Sequence, residues 1–234
     1  IGNSTTGTVT VSNKAAISGA YADVKKAIVD SSTKVVAATS TIAISDADGV
    51  AMGADVLYQI GDETTGTVTV SNNAAISGNY ADMKKALIDA GTKVVLAKAA
   101  TPVTVTDAVT AAEGSSIALV TKATAAYTTG VSDAYANLHN NSGAISTTLT
   151  NVKNDDGDVV IAITDNDGVA MAAATLQAIG GSTTGTVTVS NNAAISGTYA
   201  DTKKALVDTA TLVVLGKAAT PVTVTDAVTA AEGS

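Results

Sequence analysis

Two Asp-x-Asp-Gly sequences, Asp46-Ala-Asp48-Gly49 and Asp165-Asn-Asp167-Gly168, are the clearest candidates for chemistry in this chain. Carboxylates spaced in this way, ahead of a Gly, open calcium-binding loops. A complete loop of that kind closes on a bidentate Glu, and the corresponding positions here hold Leu57 and Leu176. Helix capping accounts better for these residues, because a short Asp side chain satisfies the free N–H groups at a helix start. No cofactor is therefore expected, and calcium at Asp46, Asp48, Asp165 and Asp167 is the alternative. Asn154-Asp-Asp-Gly-Asp158 reads first as a tight turn.

Catalytic groups are scarce. His139 is the one His and there is no Cys, so neither a zinc site nor a nucleophile–base pair can be assembled. His139 is expected to be a solvated loop residue. Ser and Thr are abundant, but no Gly-x-Ser-x-Gly elbow or phosphate-binding glycine loop occurs. No residue is nominated as catalytic, and the chain is expected not to be an enzyme. One binding alternative rests on Thr. In Thr-Val-Thr-Val segments the Thr side chains share one face, so stacking Thr67/Thr69, Thr104/Thr106, Thr186/Thr188 and Thr223/Thr225 builds a Thr ladder of the type that orders water in ice-binding solenoids. Thr as an ordinary strand former on a wet face is the plainer account.

The composition narrows the partners. All 13 basic residues are Lys, 18 of the 21 acids are Asp, and the net charge is −8, which argues against a nucleic-acid phosphate backbone. The Lys pairs Lys25-Lys26, Lys84-Lys85 and Lys203-Lys204 each lie close to an Asp. No apolar run reaches the ~18 residues of a membrane span. Aromatics make up only 3% of the chain, so Ala, Val, Ile and Leu must supply a thin, repetitive core. Without Cys there is no disulfide framework.

The elements that must position these residues repeat. Residues 66–115 return at 185–234 with seven differences, an offset of 119. The motif Gly66–Gly78 matches Gly185–Gly197 without a change and Gly7–Gly19 with Lys14 as its single difference. Ile42–Met52 returns as Ile161–Met171. Two superrepeats follow, 1–119 with four strand–helix units and 120–234, in which 122–158 is a diverged unit. Strands are expected at Val9–Val11, Ile42–Ile44, Val68–Val70, Val103–Val105, Ile161–Ile163, Val187–Val189 and Val222–Val224, with a degenerate one near Gly130–Asp133. Asn72-Asn73 breaks a strand, and Ser77–Asp89 reads as a helix with Tyr80, Met83, Leu87 and Ile88 on one stripe. Gly91 is expected to stop that helix, and Lys93–Leu96 to form a short strand. Asp46 and Asp165 precede helical patterns containing Leu57 and Ile60, or Leu176 and Ile179, and Asp107 precedes the Ala-rich stretch 108–119. Like strands joined by short helices must lie parallel. The expected fold is an α/β solenoid of strand–short helix units, with an all-β solenoid as the alternative. The chain opens at Ile1 without a Met and stops at Ser234 inside a motif that continues at its earlier copy, which reads as a segment of a longer or processed protein.

Val103-Thr-Val-Thr-Asp-Ala-Val-Thr-Ala-Ala-Glu-Gly-Ser-Ser-Ile117, together with Thr-Thr-Gly-Thr-Val-Thr-Val-Ser-Asn, resembles the repeats of giant bacterial cell-surface proteins, including those of marine cyanobacteria that serve swimming without flagella. The likeness covers most of the chain outside 122–158. It implies an extracellular, cell-surface location and a mechanical or adhesive role, and it brings no catalytic residue. The expected function is a non-catalytic structural or adhesive repeat segment of a surface or filament-forming protein. Its expected partners are neighbouring copies of itself or further repeats of the same chain, with a surface glycan as a further option. The alternative is a binding module for ice, calcium or glycan.

Overall fold

A computed structural model of the chain describes residues 2–32, 35–89, 94–120, 122–208, 210 and 213–232. It divides into two compact units, residues 1–107 with 116–126, and residues 108–115 with 127–234. Gly91 and Lys93 lie outside the described residues.

Along the chain run β1 (Val9–Thr10), β2 (Ile17–Gly19), α1 (Tyr21–Ile28), β3 (Val35–Val36), β4 (Ile42–Ile44), β5 (Ala51–Gly53) and α2 (Ala54–Asp62). Then come β6 (Val68–Val70), β7 (Ala75–Gly78), α3 (Tyr80–Met83) with a π turn over Lys84–Ile88, β8 (Val94–Leu96), β9 (Thr101–Val105), α4 (Ala111–Ala118) and β10 (Ala123–Tyr127). The remainder holds β11 (Val131–Asp133), α5 (Tyr135–Leu138), α6 (Thr147–Asp155), β12 (Ile161–Ile163), β13 (Ala170–Ala172), α7 (Ala173–Gly180), β14 (Val187–Val189), β15 (Ala194–Gly197), α8 (Tyr199–Leu206), β16 (Val213–Leu215) and β17 (Val222–Val224). No helix among the described residues is long and apolar enough to cross a membrane.

The architecture is α/β: short parallel strands in several sheets, joined by short helices and repeated along the chain. The first unit has sheets ordered β2-β4-β6-β8 and β5-β7-β9-β10 beside the pair β1-β3; the second has β11-β12-β14-β16 and β13-β15-β17. Val-x-Val strands explain the register. Ile42 sits against Val68 and Val68 against Val94, while Ile44 sits against Val70 and Val70 against Leu96, all in parallel. Each rank of aliphatics is buried, and the middle residue of β4 and β6 is half-buried on the outer side. A parallel pair needs a crossover, and the helices supply it. Helix α2 turns Val56, Leu57 and Ile60 inward, and α7 turns Leu176 and Ile179 inward. Burying one such Leu or Ile stabilises by about 1.5–3 kcal/mol.

Three expectations are corrected. Helices α1, α3, α7 and α8 each follow two strands rather than one, while α2 follows three and α6 follows α5 directly. Ala75–Gly78 is strand β7, so the helix begins at Tyr80, not Ser77. Ala51–Gly53 and Ala170–Ala172 are likewise strands just before α2 and α7. These segments hold one large apolar residue each (Ile76, Met52, Met171), too few to show a two-residue period. On the helical stripe, Met83 is buried while Tyr80, Leu87 and Ile88 are half-buried, and Ala86 takes the second buried position. Finally, Val103–Val105 does not share a sheet with Val68–Val70: β9 lies on β7 and β6 on β4 and β8.

Candidate functional site

The acidic residues gather at the seams between successive repeats. Asp46 follows β4, and its Oδ2 accepts the backbone N–H of Tyr21 at 2.5 Å, 25 residues back. Tyr21 opens α1, whose N-cap residue Ala20 makes no side-chain capping bond. Asp46 is thus a helix cap, but for the helix of the preceding repeat and not for α2 downstream. The same bond recurs where Asp107 accepts from Tyr80 at 2.7 Å, Asp165 from Tyr135 at 2.6 Å and Asp226 from Tyr199 at 2.7 Å. Asp133 accepts from Ala111 at the head of α4, and Asp156 from Tyr127 at the end of β10. The partners are 22 to 30 residues apart in all six. The first N–H groups of a helix have no partner within it, and a carboxylate there also meets the positive end of the helix dipole.

The second Asp of each Asp-x-Asp-Gly sequence reaches forward. Asp48 Oδ1 accepts the Asn73 N–H and Asp167 Oδ1 the Asn192 N–H, each at 2.9 Å. Asn72 returns a side-chain bond to the Asp46 carbonyl at 2.7 Å, and Asn191 does the same to Asp165. Gly49 and Gly168, at φ +79 and +82, turn their N–H groups onto the carbonyls of Asn73 and Asn192. A positive φ is open to Gly at little cost, which accounts for Gly at these positions. Each motif therefore ties its own repeat to the one before and the one after. One carboxylate oxygen of each Asp nominated for calcium accepts an N–H bond, and among the described residues no group of three or more His, Asp or Glu is placed to hold a metal ion.

The tyrosines are held from both sides. Tyr21 offers its N–H to Asp46, and its hydroxyl accepts the N–H of Gly53, the N-cap residue of α2, at 3.0 Å. Burial pushes the Tyr21 hydroxyl above its ordinary pKa. Tyr135 repeats the arrangement, with its hydroxyl accepting from Ala172, the N-cap residue of α7, at 3.0 Å. Burial, then the neighbouring Asp158, raises the Asp156 carboxyl above its ordinary value, although the Tyr127 N–H opposes the shift.

A second clamp went unread in the sequence. Thr64 donates its hydroxyl to the Ser40 carbonyl at 2.5 Å, and the Thr65 N–H reaches the Ala38 carbonyl at 2.8 Å. Thr183 and Thr184 do the same to Val159 and Gly157, at 2.7 and 2.9 Å. A Cβ on Gly66 or Gly185 would overlap the backbone carbonyl beneath it, so only Gly allows the approach. The available signal was Thr-Thr-Gly itself, which occurs at 5–7, 64–66, 128–130 and 183–185, each time ahead of a strand. Asn154 and Asp155, expected in a tight turn, instead end helix α6; the turn is confined to Gly157-Asp158, which forms part of this seat.

The Thr residues nominated for a ladder do not stack. Thr69 lies between Ala43 and Val95, Thr188 between Ala162 and Val214, and Thr104 and Thr223 beside Ser77 and Ser196. Thr67, Thr106, Thr186 and Thr225 fall just outside the strands. His139 is half-buried rather than solvated; its ring lies 4.4 Å from that of Tyr135, and Nδ1 is 2.7 Å from the Asn140 carbonyl.

Comparison of the sequence with protein-family models and curated proteins, and of the fold with solved structures, finds no match.

Proposed function

We propose that the chain is a non-catalytic structural repeat segment of an extracellular surface protein, an α/β solenoid whose role is mechanical or adhesive. One observation carries this reading. The residues best suited to chemistry, the strand-ending Asp residues, have their oxygens turned onto backbone N–H groups of adjacent repeats. Side chains used this way act as ties between neighbours, as a protein whose stability is a sum of repeat and nearest-neighbour terms requires. The resemblance to giant surface-protein repeats supports the location, and the acidic surface suits solubility in salty water.

The location is tested with antibody to the chain on intact and on permeabilised source cells. Labelling of intact cells that protease shaving removes is the expected result. Labelling confined to permeabilised cells would contradict the surface role.

A further inference from the structure

We propose that each unit is an extensible element. Under tension along the chain it yields one repeat at a time, releases the stretch between one strand and its partner in the next repeat, and re-forms when the load falls. The proposal deepens the mechanical reading above and rests on it; it names what the repeats do under load.

Strand order carries the inference. In the first unit the sheets β2-β4-β6-β8 and β5-β7-β9-β10 follow the order of the chain, and in the second β11-β12-β14-β16 and β13-β15-β17 do the same. An inner strand therefore has the preceding and the following repeat as its two neighbours. The separations are nearly constant. Ile17 pairs with Ile42, Ile42 with Val68 and Val68 with Val94, which are 25, 26 and 26 residues apart. Ile161 pairs with Val187 and Val187 with Val213, 26 residues apart each time. In that second sheet the pair Val131 with Ile161 is the longer one, at 30 residues.

The side-chain ties have the same reach. The bonds from Asp46, Asp107, Asp165 and Asp226 to tyrosine N–H groups span 25 to 30 residues. Those from Thr64 to Ser40 and from Thr183 to Val159 span 24. The Tyr21 and Tyr135 hydroxyls reach Gly53 and Ala172, 32 and 37 residues on. Each of these joins one repeat to the next. Helices α1, α2 and α3 pack in the same order, and α7 packs on α8. Stability built in this way is a sum of nearest-neighbour interfaces, so opening one seam leaves the bonds of the next in place. A released strand also finds its partner again by closing one short loop, which keeps the entropic cost of re-forming low.

The spacing sets the length of a step. A stretch of 26 residues extends to about 90 Å at ~3.3–3.6 Å per residue. The folded repeat it came from occupies about 5 Å, one strand spacing. One opened seam thus adds about 85 Å of length. The step between Val131 and Ile161 holds four more residues and is longer by about 14 Å.

Optical tweezers holding the whole chain by its two ends read the outcome, as contour-length changes in force–extension traces. Wild type is expected to lengthen in a series of steps near 85 Å, with one about 14 Å longer, and to retrace them on relaxation. Thr183→Val removes the hydroxyl that donates to the Val159 carbonyl at 2.7 Å across the β12–β14 seam. It is expected to lower the force of one step and to leave the step lengths as they are, with circular dichroism melting as the check on folding. Should Thr183→Val fail to fold, the wild-type trace alone decides. Events of about 170 Å or more, in which two repeats or a whole unit part together, overturn the proposal. So do steps that do not re-form, or a Thr183→Val chain in which every step weakens alike. Any of these results leaves the surface location standing, since that reading fails only on the cell-labelling experiment.

Discussion

At the residue scale, strand-ending Asp residues tie neighbouring repeats together. Replacing Asp46 by Ala removes the acceptor for Tyr21 and leaves an N–H at the head of α1 without it. The expected cost is about 1–2 kcal/mol in urea unfolding, the usual range for a lost helix cap. Asp46→Asn keeps an acceptor and is expected to cost less. Because Asp46, Asp48, Asp165 and Asp167 already accept N–H bonds, adding calcium or a chelator is expected to leave the melting temperature unchanged; a rise with calcium that disappears in Asp46→Asn, Asp165→Asn would contradict this. Asp156 makes a prediction in pH. Its folded pKa is raised above the ordinary 3.8, so the folded state binds that proton more tightly than the unfolded chain. The resulting stabilisation is fully present below 3.8 and is lost as pH rises through the raised value. Asp156→Asn is expected to remove that dependence, so its stability relative to wild type climbs between acid and neutral pH in paired denaturation series. The preference for Asp over Glu was legible as capping. Which helix each Asp caps was not, because the bond spans a whole repeat and no local spacing encodes it.

At the scale of the element, the Val-x-Val strands could be read directly, since Ile42–Ile44, Val68–Val70 and their copies alternate cleanly. Strands β5, β7, β13 and β15 could not, because Ala, Ser and Gly around one apolar residue carry no periodic signal. That omission also misplaced β9 beside β6 and so built a Thr ladder that the register does not contain. Thr-Thr-Gly was visible as a recurring string, but its purpose appears only when Gly66 and Gly185 are seen against a backbone carbonyl. Gly66→Ala or Gly185→Ala is therefore expected to destabilise by about 3 kcal/mol or more, the upper end for overpacking. Equilibrium denaturation checks this, and a cost under about 1 kcal/mol would show that the seam can open to admit a methyl group.

Taken whole, the chain is legible through its repeats. The 119-residue offset that relates Gly66–Ser115 to Gly185–Ser234 also relates the clamps Asp107–Tyr80 and Asp226–Tyr199. The bonds between Thr110 and Glu113 reappear between Thr229 and Glu232. What differs between copies is cover, with Val222 and Val224 exposed where Val103 and Val105 are buried. Each of Asp46, Asp107, Asp133, Asp165 and Asp226 holds the helix of the repeat before it. Amide hydrogen exchange followed residue by residue by NMR, comparing wild type with Asp46→Ala, tests this tie. Faster exchange is expected at Tyr21, 25 residues away, with the head of α2 at 54–57 unaffected. Unchanged protection at Tyr21, with protection lost at the head of α2 instead, would contradict it.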